Sequence, residues 1–370
     1  MFGRHKSSRS IEENVRADAV HEKRRVLMEI GNSLSSRIYN AFFVKRQKSI
    51  AVSDEITSIN PTMISSVEDE GTAGDFLYCN SPLDLRQEDS SQSGRRDKAS
   101  DFSELPYLEG GEYKDDVFRV LLSCEKRCFP EASYVDDMKA TQSEISPNMR
   151  AILMDWLVEV AEEYKLSNET LHLACNYIDR FLSRCSVSKK NLQLLGVVCL
   201  LVASKYEEKY PPHVDEFVYI TDNTYTKEEV LSMEMLVMKV LKFSFTAASS
   251  YQFASIFGSW GNLNEVVKSI SFFLCDLSLV DFSLSKYLPS DIATAAVCLA
   301  RLSCNECLWD DMLAELTHKR MEDVLPCLLT LRRVWEECAY SKLQAVRVKY
   351  HSPKYHYVSS RTPPTLDTNE

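Results

Sequence analysis

The residues of this 370-residue sequence that could do chemistry are few and dispersed. Cys304-Asn305-Glu306-Cys307 is a C-x-x-C without a second ligand pair. A structural zinc site needs four ligands, so two thiols at a core boundary are expected there. The seven His do not cluster, and no metal site is expected. A glycine-rich phosphate loop, an H-E-x-x-H helix and a nucleophile elbow are all missing. No enzyme constellation and no cofactor follow from these residues. What remains is chemistry of recognition. Lys205 closes a long apolar run, and Glu234 lies inside a later helical stretch. By themselves they would form a surface ion pair worth about 0–1 kcal/mol. Met149, Ile152, Leu153, Trp156 and Val160 share one face of a helical wheel, while Ala151, Met154, Val158 and Ala161 share the opposite one. A helix with two apolar faces is either sandwiched in a core or offers one face to a ligand.

Helices must position these groups. Only 10 Gly and 12 Pro are spread over the chain, which favours helices over a turn-rich β protein. The spacing predicts a leading helix over Tyr113–Phe129. A first set of five comes next: Met149–Tyr164 behind an Asn148 cap, a second up to Ser183 behind Ser167 or Asn168, then Lys189–Tyr206, Val214–Thr221 and Lys227–Phe243. Thr226 and Glu229 form a capping box ahead of the last. A second set is predicted over Ser250–Phe257, Asn264–Val280, Pro289–Ser303, Asp310–Leu316 and Met321–Tyr340. The two sets echo each other. Residues 197–204 lie against 296–303, and 228–231 against 322–325, which suggests a duplicated five-helix domain. In that register Cys304 stands opposite Lys205 and Leu328 opposite Glu234.

Residues 1–110 lack sustained hydrophobic periodicity and are rich in Ser, Asp, Glu, Arg and Gln. Such a segment buries too little apolar surface to offset its ordering entropy, so it is expected to be disordered. The expected organisation is that tail at 1–110, a leading helix and linker at 111–146, five-helix domains at 147–246 and 247–345, and an extended tail at 346–370. Net charge is −11, with 15 Lys+Arg against 18 Asp+Glu in residues 1–110. An acidic chain gains nothing from a phosphate backbone, so no nucleic-acid partner is expected. The longest apolar run, near Leu192–Ser204, is shorter than the ~20 residues of a membrane span. Cys175, Cys199, Cys275, Cys298 and Cys327 sit inside apolar runs, as buried reduced thiols do, and no signal peptide is read. The nucleus, with cytoplasm, is the expected location.

Met149-Arg150-Ala151-Ile152-Leu153-Met154-Asp155-Trp156-Leu157-Val158-Glu159-Val160 resembles the opening helix of the cyclin box. Tyr177-Ile178-Asp179-Arg180-Phe181-Leu182, Ala203-Ser204-Lys205-Tyr206-Glu207-Glu208 and Tyr210-Pro211-Pro212 stand beyond it at family-like spacing. The resemblance covers roughly residues 112–350, and Glu216–Asp222 with Leu236–Leu241 looks A-type. It implies an all-α chain of two tandem five-helix cyclin-box domains, and a non-catalytic subunit that binds and activates a cyclin-dependent kinase in S phase and at G2/M. ATP and magnesium would belong to that partner. A B-type cyclin is the alternative within the family. A cyclin-fold transcription factor is the alternative outside it, and would need a basic DNA-gripping core.

The resemblance also implies residue roles. Lys205 and Glu234 would bond the backbone at the kinase's C-helix, with Val202, Tyr206, Met235, Phe245, Tyr113 and Val117 completing the contact. Met149, Ile152, Leu153 and Trp156, with Leu192 and Gln193, would dock Arg-x-Leu peptides of substrates and inhibitors, and Glu159 would meet the peptide's basic residue. Arg150 and Asp179 would form a buried structural ion pair. Arg24, Leu27, Ile30 and Asn32, in an R-x-x-L-x-x-I-x-N stretch, resemble the destruction box read by the anaphase-promoting ubiquitin ligase.

Overall fold

A computed structural model describes residues 114–365. Tyr113 and the Arg24–Asn32 stretch therefore lie outside the described residues. Among the described residues every regular element is helical. Helix α1 (Lys114–Arg127) ends two residues before the expected Phe129, because Pro130 disfavours helical backbone at the residue preceding it. The expected linker is not featureless. It carries α2 (Ala132–Asp136) and a 3-10 turn at Met138–Ala140. The buried Gln142 side chain ties the end of this linker to the first unit. It donates to the Leu182 and Cys185 carbonyls at 2.6 and 2.8 Å and accepts from the Val187 N–H at 3.0 Å.

The first unit comprises α3 (Pro147–Glu163), α4 (Asn168–Leu182), α5 (Leu192–Glu207), α6 (Val214–Ile220) and α7 (Lys227–Val240). The α3 cap is Ser146, which accepts from the Met149 N–H at 3.3 Å. Asn148 is thus inside the helix, and Pro147 takes the first helical position, where no N–H is needed. Ser167 caps α4, and the Thr226–Glu229 box opens α7. Helix α5 is buried from Leu192 to Ser204 and runs through the middle of the unit. Gly196 permits this. A Cβ there would fall 2.7 Å from the Leu153 Cδ1 atom of α3.

The second unit repeats the plan in α8 (Ser250–Trp260), α9 (Glu265–Val280), α10 (Pro289–Ser303), α11 (Asp311–Thr317) and α12 (Met321–Glu337). Its third helix is again buried, with Ala293, Ala295, Ala296 and Ala300 completely enclosed. The small residues let neighbouring helices approach around it. All five cysteines singled out from the sequence are buried. Burial pushes the Cys175, Cys199 and Cys275 thiols well up, which keeps them protonated.

The units are joined by polar bonds across their boundary. Ser249 donates to Glu169 at 2.5 Å. Asp276, fully buried on α9, faces His172 of α4 at 2.9 Å and Lys349 at 2.7 Å. Lys349 ends α13 (Ala345–Lys349) and also donates to Asn168. Helix α1 packs on the second unit, with Phe118 against Phe253 and Phe257 and Glu125 accepting from Ser290. The segment after Tyr350 is not the expected extended tail. It forms 3-10 turns at Pro353–Tyr355 and Val358–Ser360. Tyr355 and Val358 are buried, and the Trp335 indole donates to the Arg361 carbonyl. Its aromatic and aliphatic side chains outweigh the Ser-Pro turn signals that suggested an open chain.

Candidate functional site

Lys205 stands in the last turn of α5 and Glu234 in the middle of α7. The fold brings them together, with Nζ 2.6 Å from Oε1. The pair is lopsided: the Glu234 side chain is 10% exposed, while that of Lys205 is 46% exposed. The ammonium therefore keeps donor capacity toward a partner at the surface. In the second unit Cys304 comes just after the end of α10 and Leu328 is fully buried. The duplicated fold is thus built without this pair.

Around the pair the surface is apolar. Met235 is 56% and Tyr206 47% exposed. Phe245 is half-buried, with its ring centroid 6.5 Å from that of Tyr206 and 5.6 Å from that of Tyr177. The Tyr177 hydroxyl donates to the Phe245 carbonyl at 2.8 Å, which fixes this loop. Val202 departs from expectation. It is buried near the end of α5. Val117 is half-buried on α1. The sequence reading missed Leu231, Leu236 and Phe243, all at least 40% exposed on or just beyond α7. Leu231, Met235 and Met238 recur at i, i+4 and i+7, beside the buried Val230–Glu234–Val237 seam. That second apolar stripe was the available signal.

The α3 face divides in two. Met149 and Ile152 are half-buried, and Glu159 is partly exposed beside them. Leu153, Trp156, Leu192 and Gln193 are buried instead of open. Leu153 is covered by the close approach of α5 at Gly196. The expected patch is therefore a shallow strip over a buried floor. That floor holds an anomaly. The Trp156 indole N–H and both polar atoms of the Gln193 amide are buried without a hydrogen-bond partner among the described residues. Each lies within one helical turn of the Leu153–Gly196 contact. Buried polar groups are normally bonded, so these three atoms are exceptions within the floor.

Arg150 and Asp179 form a paired fork, with Nε and Nη2 both 2.6 Å from the carboxylate oxygens. The Tyr134 hydroxyl donates to the same carboxylate at 2.9 Å, and Arg150 donates to the Leu279 carbonyl of the second unit. Burial alone would lower the Arg150 pKa, but the adjoining Asp179 raises it and keeps the guanidinium charged. Cys304 is half-buried and Cys307 exposed, and no group of three metal-ligating side chains occurs among the described residues. No described helix is long and apolar enough to cross a membrane.

Two units of five helices, with the ion pair in the first alone, agree with family comparison. Residues 116–246 match the cyclin N-terminal domain and residues 248–364 the cyclin C-terminal domain. The chain belongs to the cyclin family. Cyclin-A2 of Xenopus laevis is 48% identical over 254 residues, which span 68% of this chain and 60% of that relative. Human Cyclin-A2 is 47% identical over 255 residues, 68% of this chain and 58% of the relative. The G2/mitotic-specific cyclin-A of Patella vulgata is 43% identical, over 69% and 59% respectively. This cyclin thus matches about three fifths of the length of these relatives. A viral cyclin from herpesvirus saimiri shares the fold, with a TM-score of 0.53 at 18% identity over 60% of this chain and 96% of that one.

Proposed function

We propose that this cyclin is the A-type activating subunit of a cyclin-dependent kinase and carries no catalytic residues of its own. The observation that carries the reading is the Lys205–Glu234 pair, set in an exposed apolar field on the first unit and replaced by Cys304 and Leu328 in the second. A kinase is active when its C-helix glutamate meets the lysine that positions the ATP phosphates. A rigid surface that grips the C-helix backbone through one anion and one cation biases that equilibrium. Tyr206, Met235 and Phe245, with Leu231 and Phe243, supply the apolar area. Val202 supports them from beneath, and Val117 with Tyr113 belongs to the same contact. The test mixes the full chain with a monomeric cyclin-dependent kinase and reads binding and histone phosphorylation, beside a Lys205→Ala/Glu234→Ala variant. Wild type is expected to bind and activate, and the variant to fail at both. A wild-type chain that does neither overturns the reading.

The same reading includes substrate docking. Met149 and Ile152 would seat the leucine of an Arg-x-Leu peptide, over the floor of Leu153, Trp156 and Leu192. Glu159 would meet its basic residue, and Gln193 its backbone. The Gln193 amide, without a hydrogen-bond partner among the described residues, offers donors on its nitrogen and an acceptor oxygen, as an extended peptide requires. Timed destruction through Arg24, Leu27, Ile30 and Asn32 by the anaphase-promoting ubiquitin ligase, and a nuclear location, complete the proposal. Arg24→Ala/Leu27→Ala is expected to prolong the protein's lifetime through mitotic exit in a cycloheximide chase. Equal decay of variant and wild type would remove that part alone.

A further inference from the structure

On the far side of α3 from Met149 and Ile152, a cleft of about 400 Å³ opens between the two units. That lies within the ~300–1,000 Å³ of ligand clefts, which favour domain boundaries. Its floor is apolar, formed by Ala151, Leu277, Val280 and Val346. Its charged lining groups are all carboxylates: Asp155, Asp281 and Glu337. Asp155 is buried and accepts from the Ala345 N–H at 2.9 Å. Asp281 and Glu337 stand nearer the solvent and share a single guanidinium. Arg333 lies 2.7 Å from Glu337 and 3.9 Å from Asp281. At the mouth one guanidinium thus faces two carboxylates, which leaves that end of the cleft negative. At its rim Tyr340 is 90% exposed, although a tyrosine ring on a surface normally lies partly against its neighbours.

We propose that this cleft binds a peptide segment of a partner protein in which an arginine stands next to a leucine-sized aliphatic residue. The aliphatic side chain fills the floor between α3 and α9. The guanidinium reaches the free lone pairs of Asp281 and Glu337, which accept planar, forked donors well, and its flat face stacks on Tyr340. The negative lining disfavours acidic and phosphorylated segments. The site is separate from the Lys205–Glu234 face and from the Met149–Ile152 strip, so it stands whether or not the kinase reading does.

The probe is N-acetyl-Leu-Arg-amide, titrated into the full chain by saturation-transfer NMR, with N-acetyl-Leu-Glu-amide as the charge-reversed control. The leucine methyls and the arginine chain of the first peptide are expected to receive saturation, and the second peptide none. Tyr340→Ala with Glu337→Gln changes only exposed side chains, so the fold is kept. It is expected to weaken binding about tenfold, the worth of one charge-assisted contact and one stack. Met149→Ala with Ile152→Ala removes uptake by the Arg-x-Leu strip and is expected to leave the binding that depends on Tyr340 and Glu337 unchanged. The proposal is overturned if the arginine peptide does not bind, or if it binds the Tyr340/Glu337 variant as well as wild type. It is also overturned if no binding that responds to Tyr340 and Glu337 is left in the Met149/Ile152 variant, which would assign the peptide to the other side of α3.

Discussion

Gln193 buries an amide whose nitrogen and oxygen have no hydrogen-bond partner among the described residues. Leaving such a group unsatisfied costs about 1–3 kcal/mol. Gln193→Leu should therefore raise the urea midpoint of the isolated chain while weakening Arg-x-Leu peptide binding several-fold. A gain in stability together with unchanged docking would mean that the amide has no ligand. Glu169 is a second residue held against its own preference. Burial pushes its carboxyl pKa up to about 8, although the Ser249 hydroxyl bond pulls it down. With an ordinary value near 4.5 when unfolded, the folded state holds an extra proton between those values. Its contribution is present below about pH 4.5 and is lost as pH rises through 8. Thermal melts of Glu169→Gln against wild type should therefore diverge, the variant gaining on wild type as pH rises from about 4.5 to about 8. Parallel curves would place the proton elsewhere.

At the scale of elements, the contact between α3 and α5 governs both the first unit's core and its peptide strip. Gly196 sets how closely the helices approach. Gly196→Ala adds a methyl against the fully buried Leu153 and should destabilise the fold by about 1–3 kcal/mol, read from urea unfolding. A neutral result would show that Leu153 can swing aside, and the strip should then lose its shape and its affinity. The capping-box start of α7 was legible as Thr226 with Glu229 because an N-cap and its third residue are local. The α3 start was misread by two residues. Ser146, Pro147 and Asn148 are all good helix openers, and only the bond from Met149 N–H to Ser146 selects among them.

At the scale of the molecule, the two units are locked by α13 and the turns beyond it. Lys349 is fully enclosed, paired with Asp276 and Asn168. Burial pushes the Asp276 carboxyl up, but Lys349 and His172 outweigh it and hold the pKa below its usual value. Lys349→Met would leave the buried Asp276 carboxylate without its ammonium partner, a loss of about 3–5 kcal/mol. Limited proteolysis of that variant should cut between the units, near Phe243–Thr246, sooner than in wild type. Unchanged cleavage would mean that the apolar contacts of Tyr350, Tyr355 and Val358 suffice.

The helices, their order and their duplication could be read from the sequence because helix periodicity and caps are encoded within a few residues of one another. Lys205 and Glu234, 29 positions apart in the chain, could be paired only through the family resemblance and the repeat register. Their unequal exposure is a property of how α5 lies on α7. The burial of Leu153, Trp156 and Gln193 was hidden, because a helical wheel gives the direction of a side chain and not what lies in front of it. The packed tail, the Asp276–Lys349 lock and the acidic cleft behind α3 were equally out of reach. The lock and the cleft join segments 70 or more residues apart, the tail bond from Trp335 to Arg361 spans 26, and such proximity exists only once the helices have packed.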